Sequence, residues 1–431
     1  MNKHESNNKK TGAHQKQSNN KSGAHQKQNN GKPGAQQGQK QKRSTTQKVL
    51  IGFIALFLVI LAGLATVLLR EAFTGDPDDT PGNNEINQPA SPNDDPNDDP
   101  DDGLDDDWGH IPLRTPDPNP TLDGINPLTG EPFVAQYERN RPVAIVLNNL
   151  PEALPLDGVS DADIIYEYPV EGGLTRMLAI FQDVFYVEKI GCIRSARHYT
   201  VQLANAYDAI FLSAGRSPQA LAEVRSLGIP FLNEVEGPHR EVFFRDRNRV
   251  PGRRVDNLHS VITTGERLYH WLPEYDFRLT HEANFAPALT FAEDGTPGGG
   301  SNAEEILMRF SAAKSTTFIF NPSLGKYTVR QSNIDFVDAN NGSHPAYANI
   351  VFIKTSVTGL RDDTAGRLDI VTTGSGAGYF ASGGRYIRIN WARSDLSSPF
   401  IFTLEDGSRF DFGIGKTYIC IIPTNIDPAF E

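Results

Sequence analysis

The sequence predicts an N-terminal mixed α/β domain followed by a mostly antiparallel β domain, with a single transmembrane helix and disordered segments before them. Three observations support this prediction. Residues 49–69 form a long apolar run, strand-like and helix-like patterns alternate between residues 143 and 227, and β-rich runs separated by turn residues dominate beyond residue 300. The 431 residues are enough for two domains and for extensions that do not fold.

Residues 1–48 are rich in Gly, Gln, Asn, Lys and His, and the motif GAHQKQ begins at Gly12 and again at Gly23. Nothing in this repeat can form an apolar core, so we predict a disordered basic tail. Eleven Lys or Arg residues accompany a single acid in it. This positive charge either binds anionic lipid headgroups or RNA, or only sets the orientation of the chain in the membrane.

Residues 49–69 carry no charged side chain and lie between Lys48 and Arg70. A helix of this length crosses a hydrocarbon core of about 30 Å. The run is longer than the apolar part of a signal peptide and lacks a small-residue cleavage site after it. Because basic residues precede the run and acidic residues follow it, we predict a single-pass membrane protein with a cytoplasmic N-terminus and extracytoplasmic residues from Glu71 onward.

Residues 70–125 are dominated by Asp, Pro and Asn, as in SPNDDPNDDPDDGLDDDW, and show no apolar periodicity. Charge repulsion and proline stiffness predict a disordered, extended linker. The Asp-rich run lacks the Gly and terminal Glu of a calcium-binding EF-hand loop, so no metal site is predicted. The remainder of the chain, residues 126–431, is mildly acidic, which argues against nucleic-acid binding by the extracytoplasmic part.

The first folded domain is predicted over residues 126–285. Its strand-like runs and its helical patterns alternate, which is typical of a layered α/β structure with sites in the loops at strand ends. Ser195 is the predicted cap of the first helix, and Ser217 followed by Pro218 caps the second. The predicted strands cover 143–147, 163–168, 176–182 and 210–212, and the predicted helices cover 195–207 and 218–227.

The stretch from residue 162 to residue 198 crowds carboxylates, guanidiniums and hydroxyls between short apolar runs. One group of these polar residues surrounds a Gly-Gly turn, and a second group follows Cys192. If the fold brings the two groups together, they form one charged pocket. The alternative is an ion-pair network that closes a sheet edge. The predicted ligand-binding residues are Glu167, Glu171, Thr175, Arg176, Arg194, Ser195 and Arg197.

The chain loses its periodicity between residues 276 and 300, where Gly, Pro and Ala accumulate, and this predicts an interdomain connection. Cleavage there is expected to release two compact fragments. Residues 300–431 then predict a mostly antiparallel sheet or a small barrel, with a hairpin turn at Gly383. Strand-like runs cover 317–320, 327–330, 350–353 and 368–371.

The chain has two cysteines, Cys192 and Cys420, far apart in sequence. Two cysteines provide neither a disulfide scaffold nor a cysteine-based metal site. They are either buried apolar side chains or a single interdomain disulfide. No phosphate-binding loop, zinc helix or serine nucleophile elbow is present, and no cofactor is predicted.

Several separate motifs, in order, carry a family resemblance between about residue 126 and residue 425: NPLTGEP, RPVAIVLNN, ADIIYEYPVEGGLTRMLAIF, IGCIRSAR, AGRSPQAL and GKTYICIIPTN. They resemble the YerB-like family of Gram-positive cell-surface proteins. The resemblance implies a two-part ectodomain built of two domains of unknown function. This chain departs from the family in two ways. Many relatives are lipoproteins with a lipidated cysteine, whereas this chain is predicted to have an uncleaved membrane span. A segment that resembles His-Asn-Leu-Tyr in relatives is Asp256-Asn257-Leu258-His259 here, which weakens a catalytic role for that His.

Two functions fit these observations. The first is a membrane-anchored, extracytoplasmic binding or regulatory protein of the cell envelope that recognises a peptidoglycan fragment, a peptide or another envelope protein, since arginines suit carboxylate and phosphate partners. The second is a hydrolase of cell-wall glycan with Glu167 and Glu171 as its carboxylate pair. Arginines beside these acids lower carboxylate pKa values, which is unfavourable for a general acid.

Overall fold

The computed structural model describes residues 120–431. This part of the chain is mostly β with few helices, as predicted for the C-terminal region. The predicted tail, the predicted membrane span and the linker up to residue 119 lie outside the described residues. Within residues 120–431, no helix has the length and apolarity needed to span a membrane.

The first half of the described chain contains eleven strands and three α-helices. The strands are β1 (Gly124–Ile125), β2 (Pro132–Phe133), β3 (Val143–Asn148), β4 (Ile164–Pro169), β5 (Thr175–Phe181), β6 (Ile190–Gly191), β7 (Ile210–Ser213), β8 (Phe231–Asn233), β9 (Phe244–Arg245), β10 (Val261–Thr263) and β11 (Phe291–Ala292). The helices are α1 (His198–Asn205), α2 (Pro218–Leu227) and α3 (Gly265–Trp271).

Helix α2 has the ends that its sequence predicts. Ser217 Oγ accepts a hydrogen bond from the backbone N–H of Ala220 at 3.1 Å, and Pro218 occupies the first turn. Gly228 ends the helix in the left-handed conformation with φ of 62°, which glycine adopts without a Cβ clash.

Helix α1 begins three residues later than predicted, at His198, and its N-cap is Arg197. The prediction that Ser195 caps this helix was wrong. The preceding residues are extended because their backbone groups bond to strand ends: Arg194 N–H donates to Val146 O at 2.8 Å, and Ala196 N–H donates to Gly215 O at 3.0 Å.

The second half contains fifteen strands. They are β12 (Ser301–Asn302), β13 (Glu305–Arg309), β14 (Ser315–Asn321), β15 (Lys326–Gln331), β16 (Ile334–Asp335), β17 (Ala346–Tyr347), β18 (Asn349–Thr355), β19 (Val357–Gly359), β20 (Leu368–Ile370), β21 (Gly374–Ser382), β22 (Arg385–Arg393), β23 (Ile401–Thr403), β24 (Phe412–Gly413), β25 (Thr417–Pro423) and β26 (Ala429–Phe430). The turn between β21 and β22 holds Gly383 and Gly384 at φ of 57° and 74°, which is the conformation of a tight hairpin.

One eleven-stranded sheet runs through both halves, in the order β12-β22-β21-β18-β25-β4-β5-β3-β7-β8, with β23 added beside β22. The join is the parallel pair β25 and β4, in which Thr417 lies opposite Ile164. A second, six-stranded sheet contains β13, β14, β15, β16, β17 and β26. The division predicted between residues 285 and 300 stays a prediction, and the central sheet crosses it.

Strands β3, β4, β7, β8, β18 and β25 of the central sheet point in the same direction, since β3 and β4 are both antiparallel to β5. Their carboxyl ends therefore meet at one edge, called the carboxyl edge below. Asn148 ends β3, Pro169 ends β4, Ser213 ends β7 and Asn233 ends β8. The carboxyl edge is where ligands bind in open α/β sheets.

Each face of the central sheet packs on its own apolar core. On β4, Ile165 faces a core shared with Phe318 of the six-stranded sheet and Tyr418 of β25. Tyr166 and Tyr168 face the opposite core, which helix α1 covers. Side chains that alternate along a strand therefore enter different environments.

Candidate functional site

Glu167 lies on β4 with none of its surface exposed. Its Oε1 accepts hydrogen bonds from Asn149 Nδ2 at 2.8 Å and Thr175 Oγ1 at 2.7 Å. Its Oε2 accepts from Thr316 Oγ1 at 2.7 Å and from the Tyr418 hydroxyl at 2.6 Å. Both carboxylate oxygens are thus occupied by protein donors.

Lys314 supplies the positive charge of this network. Its Nζ lies 3.7 Å from Glu167 Oε1 and donates to Gln331 Oε1 at 2.6 Å and to Asn149 O at 3.2 Å. Burial lowers the pKa of Lys314, and the Glu167 carboxylate opposes that shift. We call these residues the buried carboxylate network: Glu167, Asn149, Thr175, Lys314, Thr316, Gln331 and Tyr418.

The buried carboxylate network joins the two halves of the chain. Glu167 and Thr175 come from the first half, whereas Lys314, Thr316 and Tyr418 come from the second. Two of the predicted ligand-binding residues, Glu167 and Thr175, are therefore placed in a buried network and away from solvent.

Glu171 follows β4 and forms an ion pair with Arg197 at the start of α1. The Arg197 Nε–H donates to Glu171 Oε2 at 3.3 Å, and its second nitrogen donates to Glu171 Oε1. Arg176 lies at the same edge, with a guanidinium nitrogen 4.0 Å from Glu171 Oε1 and another donating to Ser195 O at 2.7 Å. The structure thus brings together four of the predicted residues: Glu171, Arg176, Ser195 and Arg197.

Arg194 stands beside this group and is half-buried. One guanidinium nitrogen donates to Leu258 O at 2.9 Å, and the residue forms no ion pair within residues 120–431. Burial lowers the pKa of Arg194, and the nearby Arg176 guanidinium lowers it further. Ser195 Oγ is occupied, since it donates to Ala214 O at 2.9 Å.

Three guanidiniums, those of Arg176, Arg194 and Arg197, therefore lie near one another, and the carboxylate of Glu171 contacts those of Arg176 and Arg197 but not that of Arg194. Burial lowers the pKa of all three arginines, because a desolvated cation is less stable than a hydrated one. We call these four residues the arginine cluster. It has two positive charges more than negative ones, and it lies at the carboxyl edge.

Asn148 and His259 also lie at this edge, although neither is among the predicted ligand-binding residues. Asn148 Oδ1 accepts from the backbone N–H of Leu150 at 3.0 Å, which orients Asn148 Nδ2 toward His259 Nδ1 at 3.0 Å. Because an amide nitrogen can only donate, His259 Nδ1 is the acceptor and the proton lies on Nε2. Burial and the Arg194 guanidinium lower the pKa of His259, so a neutral imidazole N–H donor stands beside the arginine cluster.

A buried arginine holds this histidine in place. Arg249 Nε–H donates to His259 O at 2.8 Å, and another of its nitrogens forms an ion pair with Asp157 at 2.7 Å. Neither the Arg249 nor the Asp157 side chain is more than 1% exposed. No local sequence signal marks this pair, because its members are separated by 92 positions.

Two exposed apolar side chains border the arginine cluster. Leu258, whose carbonyl binds Arg194, is 61% exposed, and Val235 is 51% exposed. Val235 lies next to Gly215, which in turn contacts Ser195. The arginine cluster therefore has exposed apolar surface beside it at Leu258, and more lies at Val235, beyond Ser195 and Gly215.

The two candidate catalytic carboxylates do not face one site. Glu167 belongs to the buried carboxylate network on the face of the sheet with Ile165. Glu171 pairs with the N-cap of α1, which packs on the opposite face. This geometry gives no support to a carboxylate pair for glycan hydrolysis.

The described residues contain no group of three or more Asp, Glu, His or Cys side chains arranged to hold a metal ion. Cys192 and Cys420 are both free and buried. Burial raises the pKa of each thiol, which keeps the thiols protonated and unreactive.

Comparison with known proteins identifies matching family models, a similar protein and a similar solved structure. Two family models match the chain: "Protein of unknown function (DUF3048) N-terminal domain" over residues 128–277, and the corresponding C-terminal domain over residues 306–419. YerB of Bacillus subtilis (strain 168), whose name classes it as a candidate lipoprotein, is 30% identical over 312 residues that cover 70% of this chain and 87% of YerB. The crystal structure of YerB from Bacillus subtilis has a TM-score of 0.61 and 28% identity, and covers 72% of this chain and 99% of that one.

Proposed function

The chain belongs to the YerB-like family of proteins with two domains of unknown function, and from this premise we propose that it is a membrane-anchored, extracytoplasmic binding protein of the cell envelope. The arginine cluster at the carboxyl edge is its proposed recognition site. The proposed ligand is a carboxylate-bearing peptide, such as the peptide part of a peptidoglycan fragment.

Membrane anchoring is supported by the predicted span at residues 49–69 and by the opposite charges of the segments that flank it. The similar YerB protein is named as a candidate lipoprotein, which is a different way to attach to a membrane. An uncleaved span in this chain would perform the same anchoring role as a lipid.

The observation that carries the binding proposal is the excess charge of the arginine cluster. Arg197 and Glu171 neutralise one another, whereas Arg194 has no carboxylate partner and Arg176 has only a distant one at 4.0 Å. The Arg176 guanidinium makes the Arg194 cation less stable than its burial alone would. A bound anion would remove that cost and accept charge-assisted hydrogen bonds, which a planar guanidinium donates in pairs to a carboxylate.

The surroundings favour a peptide over a free inorganic anion. Leu258, beside Arg194, and Val235, near Gly215, offer exposed apolar contacts, and these suit small aliphatic side chains. His259 Nε2 is available as a neutral donor for a peptide carbonyl. A peptide that ends in a carboxylate next to an aliphatic residue uses all of these groups.

The test is the binding of soluble peptidoglycan fragments with free peptide carboxylates to the full-length chain in a non-ionic detergent. We expect Arg194→Gln and Arg176→Gln each to weaken binding about tenfold or more, since hydrogen bonds to charged groups are worth about 1.5–3 kcal/mol. Arg225→Gln, on the exposed face of α2, is the matched control and should bind like the unaltered chain.

Two further arms define the ligand. Fragments whose carboxylates are amidated should bind the unaltered chain about as weakly as free-carboxylate fragments bind Arg194→Gln. Inorganic phosphate, added as a competitor, should displace the fragments only at high concentration. The proposal fails if Arg194→Gln and Arg176→Gln bind the fragments as tightly as Arg225→Gln does.

A further inference from the structure

A cavity of about 300 Å³, open to solvent, lies at the opposite edge of the central sheet from the arginine cluster. It is enclosed by the starts of β3 and β7, the end of β5, helix α3 and the segment around residues 136–140. This volume is at the lower end of the range of small-molecule sites. Most of the lining is apolar and includes Val143, Val184, Ile210, Leu268, Leu272 and Leu279.

Gln182 is one of six polar or charged residues in the lining, and it is only 3% exposed. Its Nε2 donates to the carbonyls of Asn140, Tyr137 and Glu138, at 2.8, 3.2 and 3.4 Å. These three acceptors fix the orientation of the amide. Gln182 Oε1 is buried and has no hydrogen-bond partner within the described chain, which is costly unless water or a ligand supplies a donor.

Asp183, the next residue, also lines the cavity. Its Oδ1 accepts a hydrogen bond from the backbone N–H of Phe185 at 2.9 Å, and the residue forms no ion pair within residues 120–431. Burial raises the pKa of Asp183. This half-buried carboxyl group therefore has no cation partner within the described residues.

The one cation of the lining cannot serve Asp183. Arg141 forms an ion pair with Asp208 at 3.1 Å and donates to Asp208 O at 2.6 Å and Arg278 O at 2.9 Å. All of its nitrogens are thereby engaged in holding the segment before β3. A ligand that carries its own positive charge would complete the cavity.

Two tyrosines add to the attraction for a cation. Tyr137 and Tyr269 both line the cavity, and the ring of Phe185 lies 4.4 Å from that of Tyr269. The faces of aromatic rings carry partial negative charge and bind ammonium groups.

We propose that this cavity binds a small organic ammonium ion with an apolar body. The ammonium N–H groups would donate to the Asp183 carboxylate and to Gln182 Oε1, and the body would lie against the aliphatic and tyrosine side chains. An anionic ligand would be repelled by Asp183, and a wholly apolar one would leave Gln182 Oε1 without a donor. This inference is independent of the arginine cluster.

The probe is benzylammonium, compared with benzyl alcohol, which has a similar size and no charge. Isothermal titration calorimetry on the full-length chain in a non-ionic detergent should show that benzylammonium binds about tenfold or more tightly than benzyl alcohol, as expected for a hydrogen bond to a charged group. This comparison needs no variant, so it holds even where a substitution disturbs folding.

Asp183→Asn then tests the assigned carboxylate, because the amide keeps the shape of the side chain and an acceptor for Phe185 N–H. We expect the preference for benzylammonium to disappear in this variant. Asp276→Asn, an exposed acid outside the lining, is the matched control and should keep the preference. Equal affinity for the two probes, binding of neither, or a preference that persists in Asp183→Asn would overturn the proposal.

Discussion

The buried carboxylate network makes the substitution Lys314→Met strongly destabilising. Lys314 is 3% exposed, and its ammonium group donates at 2.6 Å to Gln331 and at 3.2 Å to Asn149. It also lies 3.7 Å from Glu167. Methionine fills a similar volume but supplies neither the donors nor the charge.

The magnitude follows from these contacts. Removing one partner of a buried ion pair leaves an unpaired charge and costs about 3–5 kcal/mol. Because Glu167 keeps four neutral donors, from Asn149, Thr175, Thr316 and Tyr418, we expect a loss of about 3 kcal/mol in the free energy of unfolding. Lys326→Met removes an ion pair with Glu131 at 3.5 Å in which both side chains are about one-third exposed, so it should cost about 0–1 kcal/mol.

Urea unfolding of the full-length chain, followed by tryptophan fluorescence, measures both changes, since Trp391 is buried in the second half of the chain. The double variant Glu167→Gln with Lys314→Met completes a mutant cycle. We expect the sum of the losses in the free energy of unfolding of Glu167→Gln and Lys314→Met to exceed the loss in the double variant by about 1–3 kcal/mol. A Lys314→Met cost equal to that of Lys326→Met, or strictly additive losses, would refute the assignment of a coupled ion pair.

Four further predictions follow from particular contacts. Arg194→Ala should lower the free energy of unfolding by about 1 kcal/mol or less, because it removes one hydrogen bond and relieves repulsion with Arg176. Arg197→Ala should lower it by about 3 kcal/mol, because it leaves Glu171 without its main partner. Similar urea midpoints for the two variants would contradict this prediction. Burial raises the pKa of Asp163 from 3.8 to about 6, so the folded chain binds this proton at a higher pH than the unfolded chain does. The free energy of unfolding should therefore rise by up to about 3 kcal/mol as the pH falls from about 6 to about 4. The difference in this free energy between the unaltered chain and Asp163→Asn isolates the contribution, and a difference that is constant with pH would exclude it. Protease added to intact, wall-stripped cells should remove residues 126–431 and leave the N-terminal repeat protected; the reverse pattern would invert the predicted topology. From the sequence alone, cleavage between residues 276 and 300 is expected to release two compact fragments. Because β25 lies between β18 and β4 in one sheet, we now expect both fragments to stay associated on size-exclusion chromatography, and separation into two folded fragments would contradict this.

Local signals in the sequence predicted the elements that depend on local chemistry. The apolar run before Asn148 predicted β3, and Ser217, Pro218 and Gly228 determine both ends of α2. Each of these signals acts within a few residues of the element that it defines. Long, periodic or well-capped segments are the easiest to predict for that reason.

Contacts between distant residues could not be predicted in the same way. Arg194 to Arg197 looked like the start of a helix, but their backbone groups bond to Val146 and Gly215 on neighbouring strands. Glu167 looked like a site residue, and its partners Lys314, Thr316 and Tyr418 lie 147 to 251 positions away. Side chains alternate along β4, so Glu167 and the residues next to it point to opposite faces of the sheet. Because both faces of β4 are buried, the pattern of apolar residues does not indicate which face a given side chain enters.

The two clusters are connected through neighbouring residues on the same strands. Asn148 orients His259, and the next residue, Asn149, binds Glu167. Thr175 binds Glu167, and the next residue, Arg176, belongs to the arginine cluster.

The C-terminal half therefore fixes the strand ends that carry the proposed recognition site, although it supplies none of the arginines. Lys314 holds Asn149 through its carbonyl, and Thr316 and Tyr418 hold the Glu167 carboxylate that Asn149 and Thr175 bind. A loss of the buried carboxylate network would thus remove contacts that hold both strand ends, beside which Arg176 and Arg194 lie. This coupling gives a physical reason for the two halves to occur together in one sheet: the second half acts as a rigid support for binding residues that belong to the first.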